Sequence, residues 1–153
     1  MAAVEQRIDP GSVRLLDEVV RLATESRAFA SVQRRGASVH CVALTNEEAA
    51  YEATSEADGV FVAWVSPNRY LSQSIEADLM WTGDDLMDLI EEELADEGCT
   101  DHPLGRIEHF RDAEKRFTFR SRVRAGADAA LVVKCLVALA KTFSQLGDMK
   151  DEE

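Results

Sequence analysis

Apolar residues recur every three to four positions in three segments of the chain, and this spacing is typical of amphipathic helices. The first predicted helix runs from Asp9, as its N-cap, to about Arg27. The second begins at Thr82, which is expected to form a capping box with Asp85, and it stops before Gly98. Each of these helices has one main apolar stripe, so each is expected to lie on an apolar surface of the fold.

The third predicted helix, from Ala127 to about Leu146, is apolar over most of its circumference. Val133, Val137 and Ala140 add apolar surface outside its main stripe. A helix this apolar has to bury more than one face. It therefore either lies deep in the fold or contributes to a subunit interface, and the three residues mark a candidate dimer surface.

Five further segments show the alternation or the short apolar runs that are typical of β-strands. They are residues 38–44, 60–65, 74–81, 104–110 and 116–123. The second is continuously apolar, which predicts a central strand covered on both faces. The last two are expected to form a hairpin around a polar turn. The acidic stretch 46–58 is interpreted as a solvated loop, and its role is left open.

In chain order the predicted elements are α-β-β-β-α-β-β-α. This order predicts an α+β fold, in which an antiparallel sheet carries helices packed mainly on one face. A chain of 153 residues suits a single domain. We expect its core at about 10–146, with residues 1–8 and 147–153 frayed.

The net charge, the hydropathy and the cysteines of the chain indicate the cellular compartment in which it works. The chain carries a formal net charge of −12, and no segment has the roughly 18 apolar residues needed to cross a bilayer. The N-terminus lacks the basic and apolar regions of a secretory signal. The three cysteines are odd in number and widely spaced, which fits reduced thiols better than a disulfide framework. Together these features predict a cytoplasmic protein with no membrane partner.

Arginines cluster in the segment RFTFRSRVR, residues 116–124. In a strand, Arg120, Arg122 and Arg124 would share the face opposite to Phe117 and Phe119. The phenylalanines would therefore face the core, which removes a stacking platform for bases. The negative field of the rest of the chain also opposes nucleic-acid binding.

Two other interpretations of this arginine face remain. Glu76 and Asp78 fall on the outward face of the predicted strand 74–81, so they could pair with the arginines within the chain or between subunits. Alternatively, the face could receive an acidic protein or peptide. A nucleic acid or another anion is the third and least favoured ligand.

The chain shows no arrangement typical of catalysis or metal binding. Asp84 and Asp85 are adjacent, but they open a helix, where negative charge is favourable. Cys99, Asp101 and His102 lack the further Cys or His ligands that a transition-metal site needs. Phosphate-binding loops and nucleophile elbows are absent from the sequence. We therefore expect no enzyme activity, no cofactor and no metal; the alternative is a small enzyme of unknown chemistry.

The element order, with its long apolar final helix, resembles the YbjN domain family and the class I type III secretion chaperones. The resemblance spans about residues 10–146 and rests mainly on FVAWVSPNRYLSQSIEADLMW and ALVVKCLVALAKTF. It implies a cytoplasmic, bacterial, non-enzymatic homodimer that binds a polypeptide client, as a chaperone or a regulator. It implies no active site.

Overall fold

The structure, a computed structural model, describes residues 10–150. Within this range the elements follow the order α-β-β-β-β-α-α-β-β-α, with a short 3-10 helix at the end. They are α1 Pro10–Ser26, β1 Phe29–Arg35, β2 Ser38–Ala43, β3 Ala50–Glu56, β4 Gly59–Ser66, α2 Arg69–Thr82, α3 Leu86–Asp96, β5 Glu108–Arg111, β6 Phe117–Arg122, α4 Ala129–Phe143 and the 3-10 helix Gly147–Met149. The N-cap predicted at Asp9 lies outside the described residues.

The six strands form one antiparallel sheet in the order β1-β2-β3-β4-β6-β5. Buried side chains of all four helices join a single core with Tyr51, Trp64 and Phe119 from one face of the sheet. Residues Ala50, Ala63 and Val65 point to the other face, where they form a separate small cluster. The predicted α+β class, with helices mainly on one face, is therefore confirmed.

We call the second surface the open sheet face. Residues that pair directly across antiparallel strands share a face. One such row crosses the sheet from β2 to β5, and it consists of His40, Glu52, Ala63, Arg120 and Glu108. Ala50, Ala63 and Val65 are buried on this face, although the helices pack on the opposite side of the sheet.

Helix α4 lies deep in the fold, where it packs against β3 and β4 of the sheet and against the helices α1 and α3. The ring of Phe143 stacks on Trp64, with centroids 5.5 Å apart and planes at 9°. Val133 and Val137 are buried within the single chain, and Ala140 is half-buried. The sequence predicts that the final helix either lies deep in the fold or contributes to a subunit interface. The structure shows the deep position, so Val133, Val137 and Ala140 offer little free surface. The homodimer itself stays a prediction.

The strand predicted at residues 74–81 is wrong, because this segment belongs to helix α2. The Asn68 side chain caps the helix by accepting the N–H groups of Tyr70 and Leu71. Gly83 ends it in the left-handed conformation, with φ 78°. Leu71 and Ile75, one turn apart, face the core. The buried residues of 69–82 therefore follow helical spacing, although residues 74–81 also show the alternation that is typical of a strand.

Two consequences follow from this helix. Glu76 and Asp78 lie on α2 instead of on a sheet face, so the predicted charge pairing with the arginines through a neighbouring strand is wrong. Thr82 is the last residue of α2 and does not cap the next helix. Asp85 caps α3 instead, accepting the N–H groups of Met87 and Asp88.

The solvated loop predicted at 46–58 is also wrong in its second half. Residues Ala50–Glu56 form β3, which pairs with β2 and β4 along its length. Tyr51 enters the aromatic core, and Glu52 is buried on the open sheet face. The acidic composition of this segment favoured a loop assignment, because the residues that pair with Glu52, His40 and Arg116, lie far from it in the sequence. The edge strand β1 was likewise not predicted.

Of the two segments expected to be frayed, residues 147–150 are packed, while 1–8 and 151–153 lie outside the described residues. Met149 is fully buried. The Gly147 N–H donates to Asp78 Oδ2 at 2.8 Å, and the Asp148 N–H donates to Ser74 Oγ at 2.8 Å. These contacts hold the chain end against α2.

Replacing Gly147 with alanine tests this docking. Gly147 has φ 48°, and an added Cβ would lie 2.5 Å from the Ser74 carbonyl carbon. Gly83 is the matched control, since its φ is 78° and an added Cβ meets nothing within 4 Å. We expect Gly83→Ala to lower the free energy of unfolding by about 1 kcal/mol and Gly147→Ala by about 2–4 kcal/mol. Equal losses in urea titrations would show that residues 147–150 are not docked.

Candidate functional site

Arg120, at the centre of the predicted arginine face, is neutralised by acids of the same sheet. Its Nη1 lies 3.1 Å from Glu56 Oε2, and its Nη2 lies 3.4 Å from Glu108 Oε1. Its guanidinium carbon also lies 4.2 Å from the ring centroid of Phe61 and 5.4 Å from that of Phe110. This guanidinium is thus held by two carboxylates and two rings.

The other two predicted arginines also have partners within the chain. Arg122 donates through Nη2 to the Asp58 carbonyl oxygen. Arg124, which follows β6, forms an ion pair with Asp101, and this contact lowers the pKa of the Asp101 carboxyl. Arg120 and Arg124 are therefore paired with acids of the same chain that the sequence did not indicate, whereas the partner of Arg122 is a carbonyl oxygen.

A buried ion cluster lies at the middle of the open sheet face. Arg116 reaches Glu52 with both terminal nitrogens, at 2.8 and 3.0 Å, and its Nε lies 2.9 Å from Asp112 Oδ2. His40 Nδ1 lies 2.7 Å from Glu52 Oε2. Ala63 of β4 pairs with Glu52 of β3, and Arg116, which directly precedes β6, reaches Glu52 across β4. The cluster thus ties β3 to the start of β6.

The charge state of Glu52 follows from these contacts. Burial by itself raises the pKa of this carboxyl, since only 8% of the residue is exposed. The hydrogen bonds from His40 and Arg116, together with the charge of Arg116, lower the pKa to about 2. Glu52 is therefore ionised at neutral pH and serves as the structural anion of the cluster.

A shallow depression of about 200 Å³ lies beside this cluster. Ala63 and Val65 contribute to its lining, together with Phe110, Thr118 and Arg120. The carboxylates and guanidinium groups around it pair with each other. The depression therefore offers polar and apolar contacts, with its main charges already engaged.

Glu76 and Asp78, predicted to face the arginines, anchor α2 to other parts of the fold. Asp78 Oδ2 lies 3.2 Å from Lys150 Nζ. Glu76 Oε2 lies 3.0 Å from His109 Nδ1, and His109 Nε2 lies 3.3 Å from Ser72 Oγ. A serine, a histidine and a glutamate in this order also occur in hydrolases. Here Ser72 is only 1% exposed, so a substrate has no access to its hydroxyl, and the three residues join α2 to β5.

The side of α2 that faces away from the core residues Leu71 and Ile75 carries exposed apolar side chains. Tyr70 is 73% exposed, Met80 83% and Trp81 89%. Eleven residues correspond to about three helical turns, so Tyr70 and Trp81 lie on the same side of the helix. Gln73 and Ala77, also exposed, lie between them. We call these five residues the α2 outer face.

The sequence prediction missed the α2 outer face, because it assigned Trp81 to the inward side of a strand. Two local signals could have identified it. Asn68 is a favoured N-cap residue, and Gly83 is a favoured residue after a helix end. Between them, Tyr70, Ala77 and Trp81 recur at helical spacing.

The partial metal motif near Cys99 does not converge on one point. The Cys99 thiol donates to Asp101 Oδ1 at 3.3 Å, whereas His102 Nδ1 lies 2.8 Å from Glu91 Oε2. Among residues 10–150, no group of three His, Cys, Asp or Glu side chains is placed to hold a metal ion. In the same part of the chain, no helix is long and apolar enough to cross a membrane.

Comparisons with protein-family models, with curated proteins and with solved structures find no match for this chain. The resemblance to the YbjN and secretion-chaperone families therefore stays a prediction. Functional inference rests on the geometry of the α2 outer face and of the open sheet face.

The paired arginines lead to a prediction about nucleic acids. Because Arg120 and Arg124 pair with carboxylates in a chain of net charge −12, we expect no binding of a single-stranded oligonucleotide in low salt. Fluorescence anisotropy with a labelled oligonucleotide measures this. Binding that weakens steeply with salt and is lost in Arg120→Ala, Arg122→Ala, Arg124→Ala would contradict the pairing account.

Proposed function

We propose that this chain is a non-enzymatic, cytoplasmic protein-binding module, a chaperone or a regulatory protein that acts on a polypeptide as a homodimer. The observation that carries the proposal is the α2 outer face, with Trp81, Met80 and Tyr70 each more than two thirds exposed. Large exposed apolar patches mark interaction sites, and Trp and Tyr dominate the binding energy of many protein interfaces.

The rigidity of α2 supports this role. Leu71 and Ile75 anchor the helix to the core, and Asn68 caps it. Glu76 and Asp78 fix it to His109 and to Lys150. A surface held in place before binding loses less conformational entropy when a partner arrives. The outer face is therefore a preorganised surface.

The titratable groups support a binding role over catalysis. Glu52 and Arg116 neutralise each other. Burial raises the pKa of the Cys41 and Cys135 thiols to about 12, so both are neutral and poorly nucleophilic at pH 7. A specific turnover with a panel of metabolites, abolished in Glu52→Gln without loss of fold, would contradict the non-enzymatic proposal.

Site-specific photo-crosslinking tests the binding surface. Met80 is replaced by p-benzoylphenylalanine in the full chain, and cells expressing it are irradiated. We expect a covalent adduct with a polypeptide, because Met80 lies on the α2 outer face beside Trp81. The same replacement at Glu114, in the exposed turn between β5 and β6, is the control and is expected to give no such adduct.

The mass of the adduct distinguishes the possible partners. An adduct of two copies of the chain or of the chain with one other protein supports a binding role for this face. Absence of any polypeptide adduct at Met80, or equal adducts from both positions, would overturn the proposed function.

A further inference from the structure

We infer that the occupant of the α2 outer face is a second copy of this chain, packed antiparallel through its own α2. This inference rests on the proposed function, because it names the partner of the same surface. It assigns the homodimer to α2, whereas the sequence had indicated the final helix. Val133 and Val137 of that helix are buried within the single chain.

The shape of the face fits a twofold axis. The helix has 14 residues, which corresponds to a length of about 21 Å. Tyr70 lies near its start and Trp81 near its end, with the small side chain of Ala77 between them. In an antiparallel pair, Tyr70 of each copy lies near Trp81 of the other. Ala77 allows the two helices to approach closely where they cross.

The charges at the two ends of the helix select the antiparallel direction. Arg69 opens α2, and Asp84 follows its C-terminal glycine. Both are exposed, and neither makes an ion pair with another described residue. An antiparallel pair brings Arg69 of each copy to Asp84 of the other, twice per dimer. A parallel pair would place like charges together.

The same arrangement leaves other surfaces accessible. The open sheet face lies on the side of the sheet away from the helices. The edge strand β1 lies at the opposite edge from β5, to which α2 is joined by Ser72 and His109. A homodimer formed through α2 therefore still exposes two open sheet faces. A further polypeptide can bind there without displacing the second copy.

A charge-exchange experiment tests this inference. The full chain and the variants Arg69→Glu and Asp84→Arg are measured by light scattering on a sizing column over the micromolar range. We expect a dimer of 16.9 kDa chains for the wild type and at least a tenfold weaker dimer for each single variant. Asp84 is chosen because Asp85 caps α3 and has to be kept. Circular dichroism confirms that each variant folds.

The most informative measurement uses an equal mixture of the Arg69→Glu and Asp84→Arg variants. In the mixed dimer both end contacts again join opposite charges, so we expect association to return to near the wild-type level. The double variant within one chain is expected to dimerise as well. Trp81→Ser is expected to dissociate the dimer, whereas Glu114→Gln, on the distant turn, is expected to leave it unchanged.

Three results would overturn the inference. They are a wild-type monomer at high micromolar concentration, a dimer insensitive to Arg69→Glu and Trp81→Ser, and a loss of the dimer that the mixture does not restore. The proposed function fails separately, when photo-crosslinking at Met80 yields no polypeptide adduct. A monomer that crosslinks to a different protein would refute the second copy and leave the binding role standing.

Discussion

Replacing Glu52 with glutamine will lower the free energy of unfolding by about 3–5 kcal/mol at neutral pH. The substitution keeps the size of the side chain but removes its charge. Arg116 then loses a bidentate carboxylate at 2.8 and 3.0 Å within a largely buried cluster. A guanidinium left in that position without its counter-charge is costly, because the surroundings exclude much of the water. Urea titration followed by circular dichroism measures the loss.

The pH dependence of this effect has a definite sign. The folded state lowers the pKa of Glu52 from 4.5 to about 2. A carboxyl with a depressed pKa stabilises the folded state at pH values above 4.5, and this contribution is lost as the pH falls from 4.5 to about 2. We therefore expect the difference between wild type and Glu52→Gln to be largest above pH 5 and to shrink below it.

Glu114→Gln is the matched control for Glu52. Glu114 also lies near Arg116, at 3.7 Å, but it is exposed. Exposed ion pairs contribute little, so we expect a loss of less than about 1 kcal/mol with no pH dependence specific to this group. Equal losses for the two variants would contradict the assignment of Glu52 as a buried structural anion.

Replacing Phe143 with alanine will lower the free energy of unfolding by about 3–5 kcal/mol. Phe143 is fully buried at the centre of the aromatic core, where its ring stacks on Trp64. Its centroid lies 5.4 Å from that of Phe119 and 6.4 Å from that of Tyr51. The truncation removes all these contacts and leaves a cavity between α4 and the sheet. Thermal and urea unfolding measure the loss.

Phe110→Ala serves as the control for size and residue type. Phe110 lies on the short edge strand β5 and is 36% exposed, so its removal leaves no enclosed cavity. We expect this variant to cost no more than about 1.5 kcal/mol. A loss at Phe110 as large as that at Phe143 would contradict the position of the core between α4 and the sheet.

The elements that sequence periodicity predicted correctly are those with an unambiguous local pattern. Helix α1, helix α4 and the apolar strand β4 each bury a continuous set of apolar residues, so one burial pattern explains each sequence. The hairpin of β5 and β6 also follows from its local pattern, although its strands are shorter than predicted. The class of fold follows from these elements.

Helix α2 and strand β3 could not be assigned in the same way. In α2, polar and apolar residues alternate by coincidence between Ser74 and Trp81, and the exposed Trp81 looks like a core residue. In β3, Glu52 looks like a loop residue until Arg116 is placed beside it, 64 positions along the chain. Tertiary contacts decide β3, because local propensity is too weak to oppose them. Helix α2 instead carries local signals, the Asn68 N-cap and Gly83 after its end, which the alternating pattern obscures.

The arginine face could likewise be predicted only in part, because its partners lie far apart in the sequence. The sequence located Arg120, Arg122 and Arg124 on an outward face, as an alternating strand requires. The acidic partners of Arg120 depend on strand order, which brings Glu56 on β3 near Arg120 on β6 across β4. The α2 outer face becomes recognisable only once residues 69–82 are assigned to a helix by their Asn68 and Gly83 end signals.

Tryptophan fluorescence tests the central claim most directly, because the two tryptophans differ completely in exposure. Trp64 is fully buried and Trp81 is 89% exposed in the single chain. If a second copy of the chain covers the α2 outer face, quenching by acrylamide will weaken and the emission will shift to shorter wavelength as the chain concentration rises through the micromolar range. Quenching that stays constant over this range, with Trp81 always accessible, would contradict the homodimer through α2.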